Sequence, residues 1–395
     1  MDRYDAIVVG LGAMGSAAAA HLARRGTRVL GIEQFALGHA RGSSHGRSRM
    51  IRMCYYEHPD YVPLLRRAYE LWRETEHAAD RPLLHITGGI YIGPPDSEAL
   101  SGASRAAAQH RLDHELLDRA ALAARFSQFC VPDDHAALFE PLAGYLVPED
   151  VIAAHVSLAR AAGASLHDNE RVVSYRADGP RVRVSTTRAE YEAERIIFAC
   201  GAWATRLVRD LGIEVRATRQ VLGWVTPRTH ALFAQGTCPV WAIDCPRGDA
   251  AIGLRAGLYY GFPTDAGAAT DGRSDGRGFK IARHAIGPAT NPDTNDFTPR
   301  HEDEADFRPA LRAFIPAADG PLSQMRICMY ENSPDGHFII DRHPKMPNVL
   351  VACGFSGHGF KFMPVIGEVL ADLANDGATR HPVGFLGLSR FSRKP

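Results

Sequence analysis

Residues 4–33 carry the pattern that most constrains what this chain can fold into. A short apolar segment over residues 4–10 is rich in β-branched side chains and predicts a buried parallel strand. An alanine-rich helix to about residue 25 and a second strand over residues 28–33 complete a βαβ unit. The sequence G-x-G-x-x-G lies in the turn between the first strand and the helix. In that position it predicts a dinucleotide-binding fold, and the alternative is an ordinary glycine-rich turn.

Three glycines and one acidic residue give this turn its chemistry. Gly10 permits the tight turn, Gly12 lets the backbone approach a pyrophosphate, and Gly15 lets the helix and the strand pack closely. The helix N-terminus supplies N–H groups and partial positive charge for phosphates. Glu33 ends the second strand, where it is placed for ribose hydroxyls and argues against a nucleotide with a 2′-phosphate.

The charge balance and the cysteine pattern exclude several classes of protein. Lys plus Arg and Asp plus Glu both total 45, so there is no bulk attraction to nucleic acid or to an acidic membrane. The seven cysteines among 395 residues are scattered and odd in number, which favours a reducing compartment. No signal peptide, membrane span or metal-binding pattern is recognisable. We therefore expect a cytoplasmic protein that binds neither nucleic acid nor membrane and holds no metal.

The order of the later segments favours FAD over NAD. Where a nicotinamide dehydrogenase continues with βα units, residues 41–52 form a basic, glycine-containing loop. Such a loop suits a diphosphate, an anionic flavin ring or a substrate carboxylate, and the alternative is a solvated basic loop. An apolar strand ends at Gly201, another runs into a glycine loop over residues 354–359, and a helix over about 363–373 follows. The N-terminus of this helix is placed to stabilise a reduced, anionic flavin. A nucleotide domain drawn from both ends of the chain is typical of FAD enzymes.

Several short sequence motifs, separated along the chain, are specific for one protein family when they occur together. They are G-S-S-H-G-x-S-R-x-I-R over residues 42–52, Leu258–Pro263, Gly278–His284, Cys328–Tyr330, Phe338–Pro344 and Gly354–Lys361. Jointly they resemble the monomeric sarcosine oxidase family, which includes N-methyltryptophan oxidase and the pipecolate and peroxisomal sarcosine oxidases. The resemblance runs from about residue 4 to Phe391. The basic loop looks more like the pipecolate and peroxisomal sarcosine branch.

The resemblance implies that FAD is the cofactor and that it is bound covalently. Cys328 matches the cysteine that forms an 8α-S-cysteinyl bond to FAD, and the alternative is a buried free cysteine in a strand. The residues expected to contact the cofactor are Gly10, Gly12, Ala13, Met14, Gly15, Glu33, Ser43, Ser44, Ser48, Val172, Gly201, Cys328, Gly354, Gly357 and Gly359.

Three further residues are expected to act on the flavin. His45 and Arg49 match residues beside the ring, where positive charge and a proton carrier would assist flavinylation and reduction. Lys280 matches the lysine over the opposite face that is proposed to activate oxygen, since a cation there stabilises developing superoxide. The alternative for Lys280 is a strand lysine that reaches solvent.

Another five residues are expected to form the substrate pocket. Arg52 and Lys361 match the pair that clamps the substrate carboxylate, because two converging cations are costly unless an anion joins them. Tyr260 and His284 match polar pocket residues, and Tyr330 lies two residues beyond the tether. The alternative for either tyrosine is a core residue with a satisfied hydroxyl.

The resemblance also implies the architecture and the reaction. We expect an α/β fold in which a Rossmann-type FAD-binding domain (1–87, 147–219 and 326–395) is interleaved with a mostly antiparallel α+β substrate domain (88–146 and 220–325). The expected protein is a monomeric flavoprotein oxidase that converts the C–N bond of an N-methyl or cyclic secondary amino acid to an imine and reduces O2 to H2O2. The alternatives are an FAD-dependent dehydrogenase or a tailoring oxidase acting on a larger amine. A non-catalytic FAD-binding module is the alternative from another class.

Overall fold

The computed structural model describes residues 2–206, 211–268 and 276–391. The helices are α1 (Ala13–Arg24), α2 (Val62–Ala79), α3 (Glu98–His110), α4 (Arg119–Arg125), α5 (Pro148–Ala161), α6 (Arg308–Phe314) and α7 (Met363–Asn375). The strands are β1 (Asp2–Val9), β2 (Val29–Ile32), β3 (Arg49–Ile51), β4 (Leu84–Ile86), β5 (Gly89–Gly93), β6 (Glu115–Leu117), β7 (Ala136–Glu140), β8 (Gly144–Leu146), β9 (Ser165–His167), β10 (Val172–Asp178), β11 (Arg181–Thr186), β12 (Glu190–Phe198), β13 (Arg216–Val225), β14 (Val240–Cys245), β15 (Gly257–Phe262), β16 (Phe279–His284), β17 (Leu322–Asn332), β18 (Ile339–His343) and β19 (Met346–Cys353).

The first sheet is built around β1. It runs in the order β10-β11-β12-β1-β2-β9, and β19 joins the second half of β12 and is followed by β18. The pairs that β1 makes with β12 and β2, β2 with β9, and β12 with β19 are parallel. Parallel strands need cover on both faces, which agrees with the continuous burial of Ala6–Val9. The predicted βαβ unit and the contribution from the far end of the chain are therefore confirmed.

Helices cover one face of this sheet, and their small side chains let them approach closely. α1 packs against α5 and α7, and α2 packs against α5 and α7. A Cβ atom placed on Gly367 of α7 would lie 2.7 Å from Cβ of Ala17 in α1. The alanine-rich sequence of α1 thus serves helix packing as well as helix propensity.

The second sheet is mostly antiparallel, as predicted. Its order is β17-β13-β16-β15-β14-β5-β7-β6, and within this sheet β14 with β5 is the one parallel pair among the described residues. Its core holds large aromatic side chains, among them Trp241 and Phe279, whose rings stack at 5.6 Å between centroids. A small third sheet, β3-β8-β4, carries the end of the basic loop. The expected α/β fold with two major sheets is confirmed.

The division of the chain into domains at the predicted residues stays a prediction. The predicted boundaries at 219/220 and 325/326 lie inside β13 and β17, which pair with each other over most of their length. The parts of the predicted segments at residues 1, 207–210, 269–275 and 392–395 lie outside the described residues. Among the described helices, none has the length and apolar character needed to cross a bilayer.

Candidate functional site

A cavity of about 530 Å³ opens where the carboxyl ends of β1, β2 and β12 meet the basic loop. Its size and position are those of a ligand site at the C-terminal edge of a parallel sheet. The predicted residues that line it are Gly10, Gly12, Ala13, Met14, Glu33, Ser43, Ser44, Arg49, Val172, Gly201, Tyr330, Gly357 and Gly359. The predicted cofactor residues that do not line the cavity are Gly15, Ser48, Cys328 and Gly354.

The glycine turn has the geometry that a diphosphate requires. Gly10 has φ +89°, and a Cβ atom there would lie 2.6 Å from the carbonyl oxygen of Ala199. A Cβ atom on Gly15 would lie 1.7 Å from the carbonyl oxygen of Gly10, so the helix starts directly against the turn. α1 begins after Gly12 without a side-chain cap. The N–H groups of its first turn therefore face the cavity and are available to phosphate oxygens.

Hydrogen bonds from two backbone N–H groups hold the carboxylate of Glu33 in place. Its Oε2 atom accepts the backbone N–H of Leu11 at 2.9 Å, and its Oε1 atom accepts that of Phe35 at 3.1 Å. The side chain is buried and lines the cavity. Since each carboxylate oxygen has a second lone pair, the predicted contact with ribose hydroxyls fits this arrangement.

The basic loop and β17 bring Arg49 to the sulfur of Cys328. Arg49 Nη2 lies 3.6 Å from Cys328 Sγ and donates to the carbonyl oxygen of Ser43 at 2.9 Å. Arg49 Nη1 donates to the carbonyl oxygen of Ser48 at 2.9 Å. Cys328 Sγ also lies 3.7 Å from the carbonyl oxygen of Ser43, a residue of the cavity wall. The predicted tether and the predicted cation are therefore neighbours at the edge of the cavity.

His45 is buried beneath the loop as a neutral imidazole. Burial and the charges of Arg49, Arg326 and Lys280 lower its pKa to about 3. Neither ring nitrogen makes a hydrogen bond of normal geometry to the described residues. His45 thus adds a proton acceptor, but no positive charge, beside Arg49 at physiological pH.

Lys280 lies on β16 under the same loop and does not reach solvent. Its Nζ atom donates to the carbonyl oxygens of Gly46 at 2.7 Å and Ser48 at 2.8 Å, and to Ser48 Oγ at 3.1 Å. It also lies 4.9 Å from the ring centroid of Phe262. The side chain is 1% exposed, which excludes the alternative of a lysine that extends into water.

Arg52 and Lys361 are both buried. The carboxylate of Glu57, which the sequence analysis missed, interacts electrostatically with both of them. Arg52 Nη2 lies 2.6 Å from Glu57 Oε1, and Lys361 Nζ donates to the carbonyl oxygen of His358 at 2.8 Å. Arg52 Nη1 and Glu57 Oε2 make no hydrogen bond within the described residues. The acidic residue five positions after Arg52 was the available sequence signal. We call Arg52, Glu57 and Lys361 the charge cluster.

The pKa values within the charge cluster show how its members depend on one another. Burial is the largest single effect and acts to lower the pKa of Arg52, but Glu57 and the side chains of Tyr91, Tyr55 and Tyr56 together outweigh it and hold that pKa above its ordinary value. Burial acts to raise the pKa of Glu57, but Arg52, His358 and Lys361 together lower it to about 2. Burial, followed by repulsion from Arg52, lowers the pKa of Lys361. One carboxylate therefore faces two basic groups, and a second anion would satisfy the cluster.

Aromatic rings enclose the guanidinium of Arg52. Its Cζ atom lies 4.4 Å, 4.8 Å and 5.3 Å from the ring centroids of Tyr55, Tyr56 and Tyr91. The chain just after Arg52 is held by Glu140, which accepts the backbone N–H groups of Met53 at 2.5 Å and Cys54 at 2.8 Å. Glu140 is a second positioning residue that the sequence analysis missed.

Tyr260, His284 and Tyr330 form a polar group that carries no charge. His284 Nδ1 lies 3.2 Å from Tyr330 Oη, and Tyr260 hydrogen-bonds to Tyr330. Burial and the charges of Arg52 and Lys361 hold the pKa of His284 at about 4, although Glu57 acts to raise it. Burial raises the pKa values of both tyrosines. A Cβ atom on Gly357 would strike the Tyr330 ring at 2.4 Å, so this glycine is needed for their close approach.

The described residues contain no group of three or more His, Cys, Asp or Glu side chains placed to hold a metal ion. The predicted residues thus fall into a cavity for a dinucleotide, a loop with Arg49, Cys328 and Lys280 at its edge, and the charge cluster with its uncharged polar neighbours. Arg52 Nη1 and the N–H groups at the N-terminus of α1 are hydrogen-bond donors that acceptor atoms of ligands can satisfy.

Comparison with known proteins places these features in one family. The family model described as FAD dependent oxidoreductase matches residues 5–373. The chain is 42% identical to a monomeric sarcosine oxidase from Streptomyces avermitilis over 99% of each chain. It is 34% identical to an N-methyl-L-tryptophan oxidase from Salmonella dublin, over 99% of this chain and 100% of the other.

A solved structure shows the same fold. The open form of the Tyr258Phe mutant of NikD, described as an unusual amino acid oxidase essential for nikkomycin biosynthesis, superposes with a TM-score of 0.84 at 24% identity. The match covers 98% of this chain and 97% of that one. The chain therefore belongs to the monomeric sarcosine oxidase family of FAD-dependent oxidoreductases.

Proposed function

We propose that this protein oxidises the C–N bond of a secondary amino acid, either N-methylated or cyclic, to an imine. The buried charge cluster beside the FAD cavity carries this proposal, because it is a site for a substrate carboxylate. The names of the relatives, a sarcosine oxidase and an N-methyltryptophan oxidase, support it. When bound, FAD takes two electrons and a proton from the C–N unit of the substrate and passes them, with the amine proton, to O2, which leaves as H2O2.

The charge cluster is short of one negative charge. With Lys361 protonated, Arg52 and Lys361 carry two positive charges against the single negative charge of Glu57. A substrate carboxylate supplies the missing charge, accepts from the unbonded Arg52 Nη1 atom and favours the protonated form of Lys361. A plain amine offers no such partner, so the cluster selects amino acids.

The neighbouring polar group favours the neutral form of the substrate amine. His284 stays uncharged because burial and two cations oppose its protonation. The same surroundings oppose an ammonium ion on the substrate, and Glu57 is already engaged by Arg52. Tyr330 and Tyr260 offer hydroxyl groups that orient a neutral amine without adding charge.

We assign the reaction with oxygen to Lys280. Its ammonium group is held rigidly by three oxygen atoms of the basic loop in a buried, partly aromatic setting. A fixed cation in such a setting stabilises negative charge that develops on reduced oxygen.

We also propose that FAD is bound covalently through Cys328. The guanidinium of Arg49 lies 3.6 Å from Sγ, so a hydrogen-bond donor faces the sulfur that would form the bond. Anchoring the cofactor on β17 fixes it between the two major sheets. We further propose a monomeric, cytoplasmic enzyme with the two interleaved domains predicted above, which the scattered cysteines and the monomeric relative support.

The alternative of a dehydrogenase or of an oxidase for larger amines is not favoured. Relatives at 42% and 34% identity over the whole chain carry the names of a sarcosine oxidase and an N-methyltryptophan oxidase. The likeness to NikD concerns the fold.

Replacing Arg52 tests the substrate proposal. With a panel of sarcosine, N-methyl amino acids, L-pipecolate and L-proline, we expect peroxide from at least one member. Arg52→Ala should lower kcat/KM for that substrate on the order of 10- to 100-fold, through loss of a charge-assisted contact worth about 1.5–3 kcal/mol. Arg52→Lys, which keeps the charge, should recover part of this loss. Arg216→Ala removes an exposed arginine paired with Glu214 and serves as the control. An equal loss for the decarboxylated amines would contradict the carboxylate site.

Acid precipitation tests the tether. The native protein should give a yellow pellet, whereas Cys328→Ser should release its flavin into the supernatant because no carbon–sulfur bond holds it. Cys130→Ser, at an exposed cysteine, should behave as the native protein does. Release of flavin from the native protein would show that the tether does not form.

Separate measurement of the two half-reactions tests Lys280. Lys280→Met should slow reoxidation by O2 on the order of 100-fold, the usual cost of removing an electrostatic stabiliser. Anaerobic reduction by substrate should change far less, because the charge cluster is untouched. Lys345→Met, at an exposed lysine, is the matched control. Equal slowing of both half-reactions would remove the oxygen role.

A further inference from the structure

Glu331 is a buried acid in the cofactor cavity that the proposed reaction does not use. It lies on β17 next to Tyr330, is 4% exposed and lines the cavity. Its backbone carbonyl accepts the N–H of Ser356 at 2.8 Å. Backbone N–H groups of Gly354 and Phe355 donate to its carboxyl group. The remaining oxygen, Oε2, has no hydrogen-bond partner within the described residues.

An unpartnered oxygen at this depth is costly unless a ligand satisfies it. Desolvation of an unbonded polar group costs about 1–3 kcal/mol, and more if the group is charged. Burial raises the pKa of Glu331 to about 8, and the two backbone N–H groups offset only part of that effect. In neutral solution the carboxyl group therefore keeps its proton and is a hydrogen-bond donor as well as an acceptor.

Glu331 lines the same cavity as Gly10 and Gly201, which belong to the part of the wall expected to receive the phosphates. Glu331 acts electrostatically on Cys200, whose Cα atom would lie 3.1 Å from a Cβ atom on Gly10. Gly10 begins the glycine turn, and Gly201 follows Cys200 on the cavity wall. An ionised Glu331 would repel a diphosphate held by that turn. A neutral carboxylic acid can instead donate a hydrogen bond to an oxygen of the diphosphate or of the ribityl chain attached to it.

We propose that Glu331 faces FAD as a neutral carboxylic acid and donates a hydrogen bond to an oxygen of its ribityl–diphosphate portion. FAD affinity is then lost when Glu331 ionises. The proposal rests on FAD as the cofactor and is independent of the substrate, so a failure of the proposed amino acid oxidation would leave it intact.

Among the residues that the structure describes, no other titratable group packed against Glu331 accounts for such a pH-dependent loss of affinity. The facing titratable groups are the thiols of Cys200 and Cys353, and burial raises the pKa values of both. The Glu33 carboxylate also acts to raise the pKa of Cys200. Arg390 acts on Cys353 and is already in an ion pair. On the partner strand β13, Glu331 is paired with Ala217.

The experiment uses holoenzyme in which Cys328→Ser leaves the flavin free to dissociate. The dissociation constant of FAD is measured from the rise in flavin fluorescence on serial dilution, from weakly acidic to alkaline pH. Because the protonated form of Glu331 binds, the constant should be flat below the pKa of about 8 and rise by up to about tenfold per pH unit above it. Circular dichroism at each pH confirms that the protein remains folded.

The matched variant is Cys328→Ser combined with Glu331→Gln. The amide keeps a donor of the same shape but does not titrate, so the alkaline rise should disappear while affinity at neutral pH stays within a few-fold. The same alkaline rise in both proteins would overturn the proposal. If the double variant fails to fold, the single variant decides alone: a dissociation constant that stays flat through the alkaline range overturns the proposal.

Discussion

The ion pair between Arg52 and Glu57 is the interaction on which the charge cluster, our proposed substrate site, depends. Glu57 pairs with the buried Arg52 and acts electrostatically on the buried Lys361, and burial makes each of these charges costly without its partners. Three tyrosine rings enclose the guanidinium, and Glu140 fixes the backbone that follows it. With Lys361 protonated, the cluster has two positive charges against one negative charge, which suits the proposed role as a site for a substrate carboxylate.

The cofactor cavity depends on a different constraint, the close approach of backbone to ligand. Gly10 and Gly15 place the turn and the helix against each other, and Gly357 admits the ring of Tyr330. Because β12 and β19 join β1 in one sheet, loops from distant parts of the chain reach the same cavity. The second sheet then carries Cys328, Tyr330 and Lys280 to its edge.

Local patterns in the sequence predicted the fold well. The βαβ unit, the strand before Gly201 and the helix after the last glycine loop all lie within a few residues of their predicted bounds. The carboxylates were harder to predict, because Glu57, Glu140 and Glu331 take their roles from partners that other segments supply. The sequence indicated His45 and His284 as candidate site residues, but their lack of charge follows from burial beside cations, which sequence spacing does not reveal. The roles of these residues in the reaction stay predictions.

Removing the charge of Glu57 tests the account of the charge cluster most directly. The measurement is the dissociation constant of acetate, a carboxylate without an oxidisable amine, from the change that it causes in the visible absorption of the bound flavin. Glu57→Gln frees Arg52 and removes a repulsive charge, so acetate should bind at least roughly fivefold more tightly than to the native protein, equivalent to about 1 kcal/mol. Binding that is unchanged or weaker in Glu57→Gln would contradict the account.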